Sequence, residues 1–237
     1  MKAVVLAGGK GTRLAPYTQI LPKPLMPIGD MPILEMLLHQ MVRVGIDEVI
    51  LTVGHLADLL ESYFGDGSKY GVRLTYSHES MPLGTAGPLS LLSGLDNTFF
   101  VTNGDVLTTL DFCELVAWHK QHSATATIAM HERQVHIDFG VIQTNGDHTI
   151  KNYIEKPNID YLVSMGVYVF EPRVLQFIPY NQYLDFPDLV LKLISAGETV
   201  IGFPFSGYWQ DLGRPDDYTQ ASQDFNRMRS EFLHGEG

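Results

Sequence analysis

Residues 1–30 read MKAVVLAGGKGTRLAPYTQILPKPLMPIGD. Ala3-Val4-Val5-Leu6-Ala7 is a continuous apolar run, the pattern of a parallel strand covered on both faces. It empties into Gly8-Gly9-Lys10-Gly11-Thr12-Arg13, and Pro16, Pro22, Pro24 and Pro27 follow. A glycine turn after a buried strand usually marks a phosphate site, and three loop chemistries compete for this one. The G-x-x-x-x-G-K-[ST] pattern is absent, since Lys10 lies between glycines and no Gly-Lys-Ser/Thr follows here. A dinucleotide fingerprint needs a helix directly after the glycines. The prolines forbid a long one, because each removes an N–H and disfavours the helical conformation before it. The second strand also ends in LTVGH, with no acidic residue for a ribose. What remains is an extended loop with backbone N–H groups from Gly8 to Thr12 and two cations, Arg13 and Lys23, able to wrap a triphosphate. Taken singly, each piece reads equally well as a glycine turn with surface cations.

Outward from this loop, strand and helix patterns alternate. Ile33, Leu34, Leu37, Leu38, Met41 and Val42 recur at helical spacing, with Pro32 at the start and Gly45 at the end. DEVILTVG, GVRLTYS and NTFFVTNGD read as strands, and HLADLLESYFG, TAGPLSLLSGL and DFCELVAWHKQH as helices. This β-α-β-α order predicts a doubly wound sheet with right-handed crossovers. In the second half ATATIAMHE, DFGVIQTN, TIKNYIEKP and YLVSMGVYVF are strand-like with few helices between them, which predicts antiparallel additions to the sheet. A helix at about 186–196, the strand ETVIGFPF, the turn GYWQDLGRP and a closing helix from Asp216 to about Met228 complete the pattern. Residues 231–237 are expected to fray. There are no internal repeats, and one domain is expected over 1–230.

A 237-residue chain with 45% hydrophobic and 18% charged residues is long enough for a sizeable core and ordinary for a globular protein. The formal net charge of −11 argues against nucleic acid or an anionic membrane as partner. A lone cysteine, Cys113, excludes an internal disulfide framework and fits a reducing compartment. Its helical setting predicts an inert buried thiol. The N-terminus lacks a signal-peptide layout and no apolar run approaches a membrane span, so a cytoplasmic location is expected. The nine histidines show no metal-ligand spacing.

GGKGTRLAPYTQILPKPLMPI resembles the signature of the sugar-phosphate nucleotidyltransferases, and PLGTAGPL, NGDVL, IEKP and WQDLGRPDDY follow in family order over nearly the whole chain. EVILTVGHLADLLESYFGDGSKYGV and PLGTAGPL look most like the mannose 1-phosphate guanylyltransferase branch, with its related heptose 1-phosphate enzymes. The resemblance implies a Rossmann-like three-layer α/β/α sandwich with a mixed, mainly parallel central sheet. It divides the domain into a nucleotide-binding half, about 1–122, and a sugar-phosphate-binding half, about 123–230. It implies in-line attack by a sugar 1-phosphate oxygen on the α-phosphorus of a nucleoside triphosphate, with GTP expected, to give a nucleotide-sugar for polysaccharide biosynthesis and pyrophosphate. The attacking phosphate is already anionic, so no protein nucleophile or general base is required, and the task is positioning and charge neutralisation.

Carried over by motif, Arg13, Lys23 and Asp105 are catalytic, and Asp105 with Asp211 holds Mg2+. Taken alone, two distant aspartates are more often caps or turn formers, and Asp111 before FCEL is the more obvious cap. The nucleotide contacts implied are Leu6, Ala7, Gly8, Gly9, Gly11, Thr12, Arg13, Lys23 and Gly104-Asp105, with Glu79, Gly84 and Thr85 along the polar edge of the base. Gly140, Glu155, Lys156 and Gly166 are implied on the sugar-phosphate side. Ser164-Met165 departs from the family pattern and leaves the sugar open, and the oligomeric state, a homo-oligomer included, is not readable. A uridylyl-, thymidylyl- or cytidylyltransferase is the nearest alternative. A silent, nucleotide-sugar-binding regulatory homologue and a glycosyltransferase are the alternatives from other classes. The intact quartet argues against the silent homologue, and the missing Asp-x-Asp argues against the glycosyltransferase. The chain stops soon after these motifs, so no C-terminal β-helix and no acetyltransferase activity are expected.

Overall fold

The computed structural model of the chain describes residues 1–233. In chain order it runs β1 (Lys2–Leu6), β2 (Pro27–Ile28), β3 (Met31–Pro32), α1 (Ile33–Arg43), β4 (Glu48–Val53), α2 (Ala57–Phe64), β5 (Arg73–His78), β6 (Phe99–Asn103), β7 (Val106–Thr108) and α3 (Phe112–Gln121). The second half continues with β8 (Ala126–His136), β9 (Val141–Thr144), β10 (Ile150–Ile154), β11 (Asn158–Phe170), α4 (Phe186–Ser195), β12 (Val200–Phe205), β13 (Trp209–Asp211), α5 (Pro215–Arg227) and α6 (Arg229–Phe232). No helix among these residues is long and apolar enough to cross a membrane.

Seven strands form the central sheet in the order β12-β8-β11-β6-β1-β4-β5. β1 pairs in parallel with both β4 and β6, and β4 with β5, while β11 runs antiparallel to β6 and β8. The mixed, mainly parallel sheet and its helical layers are the expected fold class. β1 is covered on both faces, as its unbroken apolar run requires: Ala3 and Val5 pack into one core cluster and Val4 into the other. The chain passes from β1 to β4 and β5 on one side and then returns to β6 on the other. The crevice beyond the carboxyl ends of β1 and β6 is therefore a topological switch point, where open α/β sheets bind ligands.

Four expectations change. TAGPLSLLSGL is not an α-helix but a single 3-10 turn, Gly87–Leu91. Pro88 cannot donate a helical hydrogen bond, and the N–H groups of Ala86 and Gly87 are both spent on Leu184 O, at 2.9 Å each. Cys113 is exposed, not buried, because the covered face of α3 is Phe112, Leu115 and His119. The partial desolvation that remains and the charge of Asp111 still push the pKa of its thiol up. The segment WQD is not a plain turn but strand β13, antiparallel to β7. Finally, Glu231, Phe232 and Leu233 of the expected frayed tail are held in place: α6 puts Phe232 at 0% exposure, Gln40 Nε2 donates to its carbonyl at 3.0 Å, and Leu233 N donates to Arg229 O at 2.9 Å. The rest of the expected frayed tail, 234–237, lies outside the described residues. Asp111 caps α3 as expected, accepting from Cys113 N at 2.8 Å.

Candidate functional site

The loop after β1 is held by contacts that leave no room for a side chain at Gly8 or Gly11. Gly11 takes a left-handed φ of +59°, its carbonyl accepts from Leu14 N at 2.9 Å and from Thr18 Oγ1 at 2.7 Å, and the loop folds back on itself in short 3-10 turns. Ala7 N donates to Thr52 O at 2.9 Å, so the loop leaves the sheet only after Ala7. Gly104 N donates to Leu6 O at 3.0 Å, and a Cβ on Gly104 would lie 3.1 Å from that oxygen and 3.2 Å from Pro24 Cγ. The Pro22-Lys23-Pro24 turn is thereby laid against the end of β6.

This packing aims Lys23 inward. Its side chain is only 10% exposed, which excludes a solvated loop lysine, and its ammonium donates to Asp105 Oδ2. Asp211 Oδ1 lies 3.6 Å from the same Nζ, and Arg13 Nη2 lies 3.9 Å from Asp211 Oδ2. The structure thus brings Arg13, Lys23, Asp105 and Asp211 into one cluster. β13 explains how Asp211 arrives: it pairs with Val106 in the β7 ladder, and Leu212 N donates to Asp105 O at 3.2 Å. A three-residue strand thus carries a carboxylate from near the end of the chain to the mouth of β6.

Burial raises the pKa of Asp211, Asp105's charge adds to the rise, and Lys23 and Arg13 oppose it. Asp105 Oδ1 is buried and has no hydrogen-bond partner. Such an oxygen beside a second carboxylate fits Mg2+, the ion the resemblance implies, since Mg2+ is typically held by one or two carboxylates with phosphate oxygens and waters filling the remaining positions.

The four-residue cluster borders a cleft of about 870 Å³, whose walls include all thirteen residues expected to contact the nucleotide. Gly8 packs against Glu79, where any Cβ would collide with Oε1. Glu79 is half-buried, its Oε2 accepts from Leu83 N at 3.1 Å, and burial pushes its pKa up against that hydrogen bond. Gly84 and Thr85 line the wall, but Thr85's N–H and hydroxyl both donate to Asp185 Oδ1, at 2.9 and 3.1 Å. Sequence reasoning missed Asn103, His55, Tyr183 and Asp185, which share these walls. His55 follows the second strand in LTVGH and was within reach of the crevice rule; nothing local marks Tyr183 or Asp185.

The four residues expected on the sugar-phosphate side are not brought together. Gly166, at φ +74°, is not itself part of the cleft walls but packs behind Asn103, which is, and a Cβ there would meet Nδ2 at 2.5 Å. Gly140 packs under Tyr153, and Glu155 and Lys156 sit exposed between β10 and β11; none of these three is part of the cleft walls. Trp209 donates its indole N–H to Met165 O at 3.0 Å and carries Arg133 over its ring at 5.0 Å, two residues from Asp211.

Comparison with known proteins gives the family and the fold. The family model described as nucleotidyl transferase matches residues 2–227. A UTP–glucose-1-phosphate uridylyltransferase of a Synechocystis species is 36% identical over 93% of this chain and 62% of its own length. A mannose-1-phosphate guanylyltransferase catalytic subunit beta of Drosophila pseudoobscura pseudoobscura is 36% identical over 92% of this chain and 60% of its own. The chain therefore spans about three fifths of the length of these relatives. A crystal structure of an apo UDP-glucose pyrophosphorylase superposes with a TM-score of 0.74 at 20% identity, over 96% of this chain and 98% of that one, and shares the fold.

Proposed function

The chain belongs to the nucleotidyl transferase family, and from that premise we propose that it joins a nucleoside triphosphate to a sugar 1-phosphate, releasing pyrophosphate. The observation that carries the reading is the cluster of Arg13, Lys23, Asp105 and Asp211 at the edge of a glycine-walled cleft. The backbone N–H groups between Gly8 and Thr12 and the Arg13 guanidinium receive the non-bridging oxygens of the triphosphate. Lys23 leaves its carboxylate partners and meets the charge that builds around the α-phosphorus. Asp105 and Asp211 would hold Mg2+, which when bound supplies positive charge between the two polyanions. None of these side chains has to take a proton, because the sugar 1-phosphate attacks as an anion.

We assign guanine as the base. Glu79 presents a carboxylate, which only accepts hydrogen bonds, on the wall beside Gly8. Guanine offers two donors side by side on its Watson–Crick edge, N1–H and N2–H, whereas uracil and thymine offer one donor between two acceptors. The nucleotide-binding half, about 1–122, supplies this wall. The other half, carrying Gly140, Glu155, Lys156 and Gly166, is assigned to a mannose- or heptose-type 1-phosphate. A cytoplasmic setting is part of this reading, in keeping with a chain that has a single cysteine. The test is pyrophosphate release with Mg2+ over GTP, UTP, dTTP, CTP and ATP, each paired with mannose, glucose and heptose 1-phosphates. GTP with a mannose or heptose 1-phosphate is expected to be the best pair. Turnover with UTP alone would overturn the base assignment, and absence of turnover with every pair would favour a silent nucleotide-sugar-binding homologue.

A further inference from the structure

Asp185 stands at the N-cap position of α4, yet its side chain makes no capping hydrogen bond there. An aspartate in that position ordinarily accepts from the second or third helical N–H. Here Oδ1 reaches across to the other half of the chain and takes both Thr85 N, at 2.9 Å, and Thr85 Oγ1, at 3.1 Å. Thr85 returns the service: its Oγ1 accepts from Phe186 N, the first N–H of α4, at 2.8 Å. Two residues a hundred positions apart have exchanged caps. The exchange is framed by backbone, with Leu184 N donating to Leu83 O at 2.9 Å and Leu184 O accepting from Ala86 and Gly87. It is also tight, since a Cβ on Gly84 would lie 2.6 Å from Leu184 O and one on Gly87 would lie 2.5 Å from Gln182 O. Tyr183 OH donates to the remaining carboxylate oxygen of Asp185 at 2.6 Å, so that carboxylate has a partner on each oxygen.

We propose that Asp185 is a positioning residue for the nucleotide site, acting through Thr85 and the loop Leu83–Gly87. That loop carries the Leu83 N–H that holds Glu79's carboxylate on the cleft wall. Thr85 accordingly serves the base by orienting the loop, its own polar groups being committed to Asp185 and Phe186. Because Asp185 belongs to the half read as the sugar side, the clasp makes the nucleotide wall depend on a residue of the other half. The inference rests on the reading of the cleft as a nucleotide site.

Asp185→Ala and Thr85→Val are expected to raise the KM for the nucleoside triphosphate about tenfold with kcat within about twofold of wild type, the signature of lost binding common to the ground and transition states. Asp185→Asn keeps an oxygen that can accept from Thr85 and is expected to restore most of the lost affinity. Hydrogen exchange in the ligand-free protein supplies a readout independent of turnover: Thr85 N–H should exchange faster in Asp185→Ala and stay protected in Asp185→Asn. Unchanged KM and unchanged exchange in Asp185→Ala would overturn the proposal, as would Asp185→Asn behaving like alanine in both. A wild-type protein inactive on every substrate pair would sink the reading of the reaction, while the exchange data would still judge the clasp.

Discussion

The crevice beyond β1 and β6 and the outer ribbon of β8 and β11 are both made of β-strands, and they differ in what holds them. β1 lies between β4 and β6 with Ala3, Val4 and Val5 at 0% exposure, so the loop that follows it starts from a point fixed on every side. The ribbon leaves the sheet. In its outer part β8 pairs with β11 alone, and Val135 and Leu162 are 50% and 65% exposed. The single strand β11 crosses from one regime to the other, buried from Met165 to Phe170 and largely exposed before that. Its pairing with β8 shifts register between Ser164 and Tyr168, where Gly166 sits. In the crevice, position follows from burial and topology; on the ribbon, it depends on cross-strand pairs that water can replace.

The largest effect is expected where the crevice concentrates charge. Lys23→Ala should lower kcat by a factor equivalent to roughly 2.7–4 kcal/mol, by analogy with removal of an oxyanion donor. Pyrophosphate release is the measurement, and a variant with near-normal kcat would remove the buried ammonium from the chemistry. A second test falls on the border. Gly166→Ala puts a side chain at a φ of +74° against Asn103, and a left-handed L-residue costs about 1–2 kcal/mol before any clash is counted. Its melting temperature should fall clearly, and an unchanged one would show that the strand yields there.

The third contrast uses pH. His119 is buried at 1% exposure between Thr127 and Glu171, and burial lowers its pKa despite the nearby carboxylate. The unfolded chain therefore takes up a proton near pH 6.5 that the folded protein refuses, so stability is full above that pH and declines as pH falls toward the folded-state value. Unfolding followed across pH 7 to 5 should show this decline, and His119→Leu should flatten it. The smallest effect belongs to the ribbon end: a Cβ on Gly146 meets nothing within 4 Å, so Gly146→Ala should change stability by no more than about 0.5 kcal/mol. A loss as large as that of Gly166→Ala would erase the distinction between the two regions.

The same contrast sets how much was legible in the sequence. The run KAVVLA and the glycines after it determine both the strand and the crevice, because a fully buried parallel strand has few places to go. All thirteen expected nucleotide contacts accordingly reach one cleft. Three residues of the expected sugar side, Gly140, Glu155 and Lys156, stay on or beside the ribbon, where nothing in the local pattern fixes their distance from the crevice. Asp211 was placed by motif order and not by any visible strand, since three residues are too few to show a period. The exchanged caps of Thr85 and Asp185 were invisible for a related reason: each residue looks locally ordinary, and only the fold sets them side by side.

The quartet at the cleft edge sums to zero: two cations, Arg13 and Lys23, face two anions, Asp105 and Asp211. The cleft walls add Lys10 against Glu79 and Asp185, so on a protein of formal net charge −11 a polyphosphate meets no surplus of positive sign to be drawn toward. A ligand of that kind is best admitted already escorted by a counter-ion, so added salt should slow its capture far less than it would at a basic groove.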